Sequence, residues 1–223
     1  MMRGYGDLTI RARGREALER ALKGTTTVGL VAVDGVVISS DKRASSYTFV
    51  ASKTARKTIK IDEHSVVTIS GLVADGQFLV NNLRAFSNIY RIEHGREMPL
   101  LAKAKYLSLL MRSYWPVLLI AHMIVGGIDE GGPGLFNVDF LGMVTRERYL
   151  ATGSGSPVAI SVLEGGYRED ITVEEGLSLV VDAMKSALSR DTATGDGIDV
   201  AIITSEGVKF LSRDEIDSLL KRV

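Results

Sequence analysis

Gly24-Thr25-Thr26-Thr27-Val28-Gly29 divides this chain. Ahead of it runs a leader of about two dozen residues, with Arg3, Arg11, Arg13 and Arg15 and no core pattern. Directly after it the apolar runs of a folded domain begin. A Gly-Thr junction at that border suggests a cut between Gly24 and Thr25, which would give Thr25 a free α-amino group beside its own hydroxyl. A hydroxyl nucleophile needs a base to take its proton. An α-amino group, with a reference pKa of about 7.7–8.0, titrates close to working pH. One residue then supplies both nucleophile and base. The plainer reading of the same stretch is a β-strand opened by threonines, because Thr favours strands. The stretch by itself leaves both open.

Downstream, Thr26 to Val33 and Val36 to Ser40 read as strands apolar nearly throughout, the pattern of strands covered on both faces. Asp34-Gly35 between them is a strong hairpin signal. A polar segment follows from Asp41 to Thr54, then strands around Thr58 to Ile61 and Val66 to Ser70. Asp75 is a plausible N-cap for a helix from about Gly76 to Ile92, and a second helix follows Pro99 and runs to about Ser113. Strands resume at Val117 to Gly126, Leu135 to Met143 and Arg146 to Ala151. Gly153-Ser154-Gly155-Ser156-Pro157 breaks the chain before another helix. Thr172 and Glu175 make a capping-box pattern ahead of a longer one. Asp199 to Thr204 and Val208 to Leu211 are late strands, and Ser212 with Glu215 caps a final helix. Hairpin-linked strands imply antiparallel sheets. Together with helices paired in two blocks, they predict one domain of two stacked sheets between two helix layers.

Composition narrows the function. Lys+Arg and Asp+Glu both number 27 in 223 residues, a balance that argues against a nucleic-acid binder working by bulk charge. There is no cysteine, so disulfides and Cys chemistry are excluded, in keeping with a cytoplasmic protein. His64, His94 and His122 lie far apart and form no metal-ligand spacing; they read as single surface or core residues, with a Ser-His-Asp triad using one of them the other reading. No stretch reaches the ~18 consecutive apolar residues of a membrane helix. The leader has no apolar h-region and is not a secretory signal; its segment Arg15 to Lys23 reads as a short, marginal helix.

Four stretches offer chemistry. Period-2 alternation along Lys57-Thr58-Ile59-Lys60-Ile61 puts Lys57 on the face of Ile59 and Ile61, where a lysine is costly unless paired. Asp41, at the end of an apolar strand, is a candidate partner. Against this, Lys57 reads equally as one of a solvated group with Lys53 and Arg56, and Asp41 as a strand-ending turn residue. Gly71 lies past a strand and before a helix, where backbone N–H groups can stabilise an oxyanion or where a glycine simply turns the chain. Gly153-Ser154-Gly155 lacks the ending and spacing of phosphate loops. Arg190-Asp191-Thr192-Ala193-Thr194-Gly195-Asp196 follows a long helix, as a helix exit does.

Taken together these stretches resemble the archaeal proteasome β-subunit family. The matching pieces are Gly24-Thr25-Thr26-Thr27-Val28-Gly29, Asp41-Lys42-Arg43, Ser52-Lys53-Thr54 with Lys57, Ser70-Gly71-Leu72-Val73-Ala74-Asp75, Gly153-Ser154-Gly155-Ser156, and Arg190-Asp191 with Thr194-Gly195-Asp196. They run in family order from Gly24 almost to the C-terminus. Departures are Thr194 where serine is common, Ser70 where a small apolar residue is usual, and Gly76 where alanine is.

The resemblance implies the N-terminal-nucleophile hydrolase fold, a four-layer αββα sandwich of two antiparallel sheets between helix layers. It implies a threonine endopeptidase made as a precursor, with residues 1–24 a propeptide removed by self-cleavage and 25–223 the catalytic domain. Thr25 would be the nucleophile and its freed amine the base. Lys57 would lower the pKa of the hydroxyl and Asp41 would hold Lys57. The Gly71 N–H would form the oxyanion hole, and Ser154, Asp191 and Thr194 would orient the amine. The pocket beside Thr25 would be lined by Ala44, Ala55, Ile59, Ile69 and Val73, and Ser70 should face away from it. The implied partners are further copies in a seven-membered β ring, proteasome α rings, a regulatory ATPase reached through the α ring, and unfolded polypeptide, with no metal or organic cofactor, no nucleic acid and no membrane. The rival readings are a non-catalytic ring subunit and a small-molecule amidohydrolase of the same fold.

Overall fold

The computed structural model describes residues 24–46 and 49–221; the expected short helix of the leader lies outside them. In chain order the elements are β1 (Thr26–Ala32), β2 (Gly35–Asp41), β3 (Ala44–Ser46), β4 (Phe49–Ser52), β5 (Thr58–Asp62), β6 (Ser65–Gly71), α1 (Val73–His94), α2 (Leu100–Ser113), β7 (Ala121–Asp129), β8 (Gly132–Val138), β9 (Val144–Glu147), β10 (Tyr149–Gly153), α3 (Ser156–Gly166), α4 (Val173–Arg190), β11 (Ile198–Thr204), β12 (Gly207–Phe210) and α5 (Arg213–Lys221). One sheet has the order β10-β1-β2-β11-β12 and the other β5-β6-β7-β8-β9, both antiparallel, with β3-β4 a separate ribbon.

Three apolar clusters bind the layers. Val28, Leu30 and Val37 pack with Val180, Met184 and Ala187 of α4, covering the outer face of the first sheet. Val67, Ile69 and Met123 pack with Leu79, Leu83 and Leu107 of α1 and α2, covering the outer face of the second. Val36, Ile38, Val66, Ile124, Leu135 and Ile203 fill the space between the sheets. Along β2 the side chains alternate between the outer cluster (Val37) and the inter-sheet cluster (Val36, Ile38). That is why the strand is apolar at successive positions rather than at every second one. This is the four-layer αββα sandwich of the N-terminal-nucleophile hydrolases.

Several boundaries differ from the sequence reading. The β1–β2 turn is Val33-Asp34, and Gly35 lies in β2 opposite Ala32. Gly35 is there for close approach: a Cβ would stand 2.4 Å from the Ile203 carbonyl oxygen. Asp34 accepts from the Val173 backbone N–H at 2.8 Å and so ties the hairpin to α4. Asp75 is not the N-cap of α1. The helix begins at Val73 behind Leu72, and the Asp75 carboxylate accepts from Ile120 N–H at 2.7 Å. That bond, with Leu72 N–H donating to the Ile120 carbonyl, occupies backbone groups a strand ladder would need, so β7 starts at Ala121 rather than Val117. The strand expected at Arg146 to Ala151 is two strands: the chain leaves the second sheet after Glu147 and enters the first at Tyr149. The polar segment after Asp41 contains the β3–β4 ribbon.

Gly76 has a packing reason. Its Cβ would lie 2.1 Å from Ile69 Cγ2 and 3.1 Å from Ile69 Cβ, the latter fixed by the backbone and the former free to move only by a change of the stiff χ1 of a β-branched residue. Gly165 in α3 meets nothing within 4 Å. Gly76→Ala should therefore lower stability by about 1–3 kcal/mol through overpacking, despite the better helix propensity of alanine. Gly165→Ala should be neutral or gain up to about 1 kcal/mol. Thermal denaturation of the two variants side by side gives the order.

Candidate active site

The N-terminal end of β1, the C-terminal ends of β2 and β10, the start of β11 and the loop after α4 converge at one end of the first sheet. Asp41, the last residue of β2, is fully buried. Its Oδ1 accepts from Lys57 Nζ at 2.7 Å and Thr26 N–H at 3.1 Å. Its Oδ2 accepts from Arg43 N–H and Gly195 N–H, both at 3.1 Å. Lys57 is 1% exposed. Burial pushes the Asp41 carboxyl up and the Lys57 ammonium down, and each partner's opposite charge resists the other's shift. The solvated and turn-residue readings of these two groups are thereby set aside. The face assigned to Lys57 needs correcting. Ile59 and Ile61 pack toward α1 and α2. Lys57 stands one residue ahead of β5 and sends its ammonium to β2, where Thr58 also meets Ser40 at 2.7 Å. The alternation of β5 does not fix the side chain of a residue that precedes the strand, although the Lys57 carbonyl still bonds β6.

Thr25 is buried and joined to Gly24. Its hydroxyl donates to the Gly24 carbonyl at 2.6 Å, and Lys57 Nζ donates to the same oxygen at 3.4 Å. On the other side, Asp191 Oδ2 accepts from Ser154 Oγ and from Thr194 Oγ1, each at 2.5 Å. The Ser154 hydroxyl also lies 3.4 Å from the Thr25 carbonyl oxygen. Thr194 Oγ1 is 2.7 Å from Thr26 Oγ1, so threonine at this position keeps its hydroxyl in use. Gly153, at φ +90°, lets β10 come this close: a Cβ would sit 2.0 Å from the Thr25 carbonyl oxygen.

The same likeness appears by comparison with known proteins. A family model described as proteasome subunit matches residues 21–203. The chain belongs to the proteasome subunit family. It is 56% identical over 202 residues to proteasome subunit beta 1 of Korarchaeum cryptofilum, covering 91% of this chain and 98% of that one. It is 45% identical over 201 residues to proteasome subunit beta of Methanocaldococcus jannaschii, covering 89% and 90%. It is 42% identical over 203 residues to proteasome subunit beta 2 of Nitrosopumilus maritimus, covering 91% and 97%. The chain is thus a proteasome β subunit, a component of a multi-subunit core. No helix among the described residues is long and apolar enough to cross a membrane.

In this β subunit Gly71 closes β6 at φ +103°, with the Ile120 carbonyl oxygen 2.4 Å from where a Cβ would be. It is at the same end of the second sheet as Lys57, whose carbonyl accepts from Ile69 N–H. Among the described residues no hydrogen bond joins Gly71 to Thr25. Of the five pocket candidates, Ile59 and Ile69 share the cluster under α1. Ala55 is held by its N–H to the Lys42 carbonyl at 3.0 Å, and Ala44 and Val73 are half-buried at the starts of β3 and α1. Ser70 points away from Ile69, toward the first sheet, bonding Thr152 Oγ1 at 2.9 Å. A cavity of about 930 Å³ lies at the other end of the sandwich, among His64, Met98, Ile128, Phe136 and Arg146, and holds none of the site residues. The histidines are separate: His64 pairs with Glu97, His94 stacks on Tyr90, and His122 bonds Asn137.

Three contributors went unassigned in the sequence reading: Thr26, Arg43 and Gly195. All three stood inside the matched pieces, but nothing in their spacing said that each donates a backbone N–H to one carboxylate. The four donors on Asp41 lead to an ordered expectation. Asp41→Ala strands the Lys57 ammonium and three N–H groups and should cost about 3–5 kcal/mol. Lys57→Ala leaves the carboxylate its three N–H donors and should cost less. Urea denaturation of both variants measures the difference.

Proposed function

We propose that this β subunit is a threonine endopeptidase made as a precursor. Residues 1–24 form a leader cut away between Gly24 and Thr25, and 25–223 form the catalytic domain. The observation that carries the reading is the meeting of Thr25 Oγ1 and Lys57 Nζ on the Gly24 carbonyl oxygen, with Asp41 behind the lysine. Thr25 is the nucleophile. Its hydroxyl adds to a substrate carbonyl while the proton passes, directly or through water, to the freed α-amine. An ester forms as the amine product leaves with a proton, and water hydrolyses the ester. Lys57 lowers the pKa of the hydroxyl, Asp41 holds Lys57, and the Gly71 N–H receives the oxyanion. Ser154, Asp191 and Thr194 orient the amine. The chain uses no metal or organic cofactor in this scheme. The names of the relatives support assembly, which we take as seven-membered β rings stacked between α rings in the cytoplasm, fed with unfolded polypeptide by an ATPase on the α ring.

N-terminal sequencing of the assembled particle should begin at Thr25. Lys57→Ala should abolish peptide hydrolysis and slow leader removal. A different mature terminus with full activity would remove the amine from the mechanism, and near-normal turnover of the Lys57 variant would remove the lysine.

Ala44, Ala55, Ile59, Ile69 and Val73 carry no charge, so an apolar side chain before the scissile bond should be preferred. Glu or Arg there would lose hydration without a partner. Matched fluorogenic peptides should be cut faster after Leu or Tyr than after Glu or Arg. The reverse order would mean the pocket is lined by other residues.

A further inference from the structure

We propose that Arg43 is a positioning residue of this site: its side chain clamps the loop after α4 so that the loop serves both of the site's charged clusters. The inference rests on the threonine-peptidase reading for its kinetic arm only.

Arg43 Nε donates to Asp196 Oδ2 at 2.8 Å, and Nη1 donates to the Thr192 carbonyl at 2.9 Å. The two bonds grip the loop on either side of Thr194 and Gly195. The guanidinium lies over Gly195, where a Cβ would stand 2.3 Å from Cζ. Asp196 holds φ +63°, a conformation most side chains avoid, and its carboxylate is kept below the usual range chiefly by the hydrogen bond from Arg43. The gripped residues look two ways. Gly195 N–H donates to Asp41, the partner of Lys57. Thr194 bonds Asp191 and Thr26, and Asp191 holds Ser154. The Arg43 backbone N–H is itself a donor to Asp41, so main chain and side chain of one residue fix the carboxylate and the loop that helps to hold it. A lysine could keep the charge but not both bonds, because the planar fork reaches an acid and a carbonyl at once.

The test uses the assembled particle. Arg43→Lys should lower kcat roughly ten- to a hundredfold, the scale of a small misplacement of reacting groups, with KM within about twofold. Asp196→Asn should give a similar loss, because Asn tolerates positive φ and only the ion pair is removed. The double variant should lose no more than the worse single one, as for two ends of one contact. Amide exchange over residues 192–196 should rise in each variant while the particle stays assembled. Thr25→Ala alongside the parent checks the peptidase reading: an inactive parent would sink that reading and leave the exchange measurement to decide the clamp. Unchanged exchange overturns the clamp whatever the activity. Parent-like kcat in an assembled Arg43→Lys or Asp196→Asn particle, or losses that simply add, overturns it as well. If Arg43→Lys does not assemble, Asp196→Asn carries both readouts.

Discussion

A carboxylate with no access to water has to find its hydrogen bonds inside the protein, and Asp41 finds four. Leaving any of them out would cost the desolvation of a buried ion. The donors come from different parts of the chain: Thr26 from the start of β1, Arg43 from the exit of β2, Gly195 from the loop after α4, and Lys57 from the second sheet. Satisfying one group therefore fixes the mutual position of four segments. Lys57 gains from the same arrangement, since burial disfavours its charge and the carboxylate restores it. The pair is less a source of net stability than a constraint on geometry.

The interface between the sheets changes character toward this end. Its middle is filled by Val36, Ile38, Ile124 and Leu135. Near the site, a row of hydroxyls replaces them. Ser40, Thr27 and Thr152 stand opposite one another across β2, β1 and β10. Thr27 bonds Thr152 at 2.8 Å, Thr152 reaches Ser70 of β6, and Ser40 reaches Thr58 of β5. Apolar contact is non-directional and lets sheets slide by small amounts; hydroxyl pairs at these distances do not. The directional seam sits where Lys57 must cross from one sheet to the carboxylate of the other. Ser70, an odd residue by family pattern, is a member of that seam.

How much of this was legible in the sequence depended on whether a signal was local. The layers and the element order followed from the apolar runs, because each strand and helix announces its buried faces within its own residues. Boundaries failed where a distant partner decided them. Asp75 looks like a cap until Ile120 claims its carboxylate. Arg146 to Ala151 looks like one strand because alternation does not record the sheet to which a strand belongs. The site was legible as residue types in family order. The sequence left Lys57 open between a paired, inward position and a solvated one, and did not give its direction, because the residue lies before the strand whose alternation would set its face. The roles of Gly195 and of the Arg43 side chain arise from contacts that cross more than a hundred positions, and those of the Thr26 and Arg43 backbone N–H groups from main-chain donors that every residue type but proline carries, so neither leaves a signal in residue spacing.

With Gly24 joined to Thr25, the groups around Thr25 are already held on both sides. The Thr25 nitrogen is an amide and cannot act as a base, yet both charged clusters are already formed. Lys57 and Asp41 stand on the side of the Gly24 carbonyl, and Ser154, Asp191 and Thr194 stand on the side of the Thr25 carbonyl. Neither cluster needs the free amine to hold its shape, because each is satisfied by partners inside the fold. On the proposed reading, release of the leader then adds one titratable group to an arrangement that need not rebuild itself around it. A preorganised surrounding of this kind costs little reorganisation when charge develops. Two segments join the clusters: Thr26, which donates to Asp41 and bonds Thr194, and the loop gripped by Arg43, whose Gly195 donates to one cluster while its Asp191 and Thr194 belong to the other. A displacement of that loop would reach both sides of Thr25 at once, whereas loss of the Ser154 hydroxyl would reach only one.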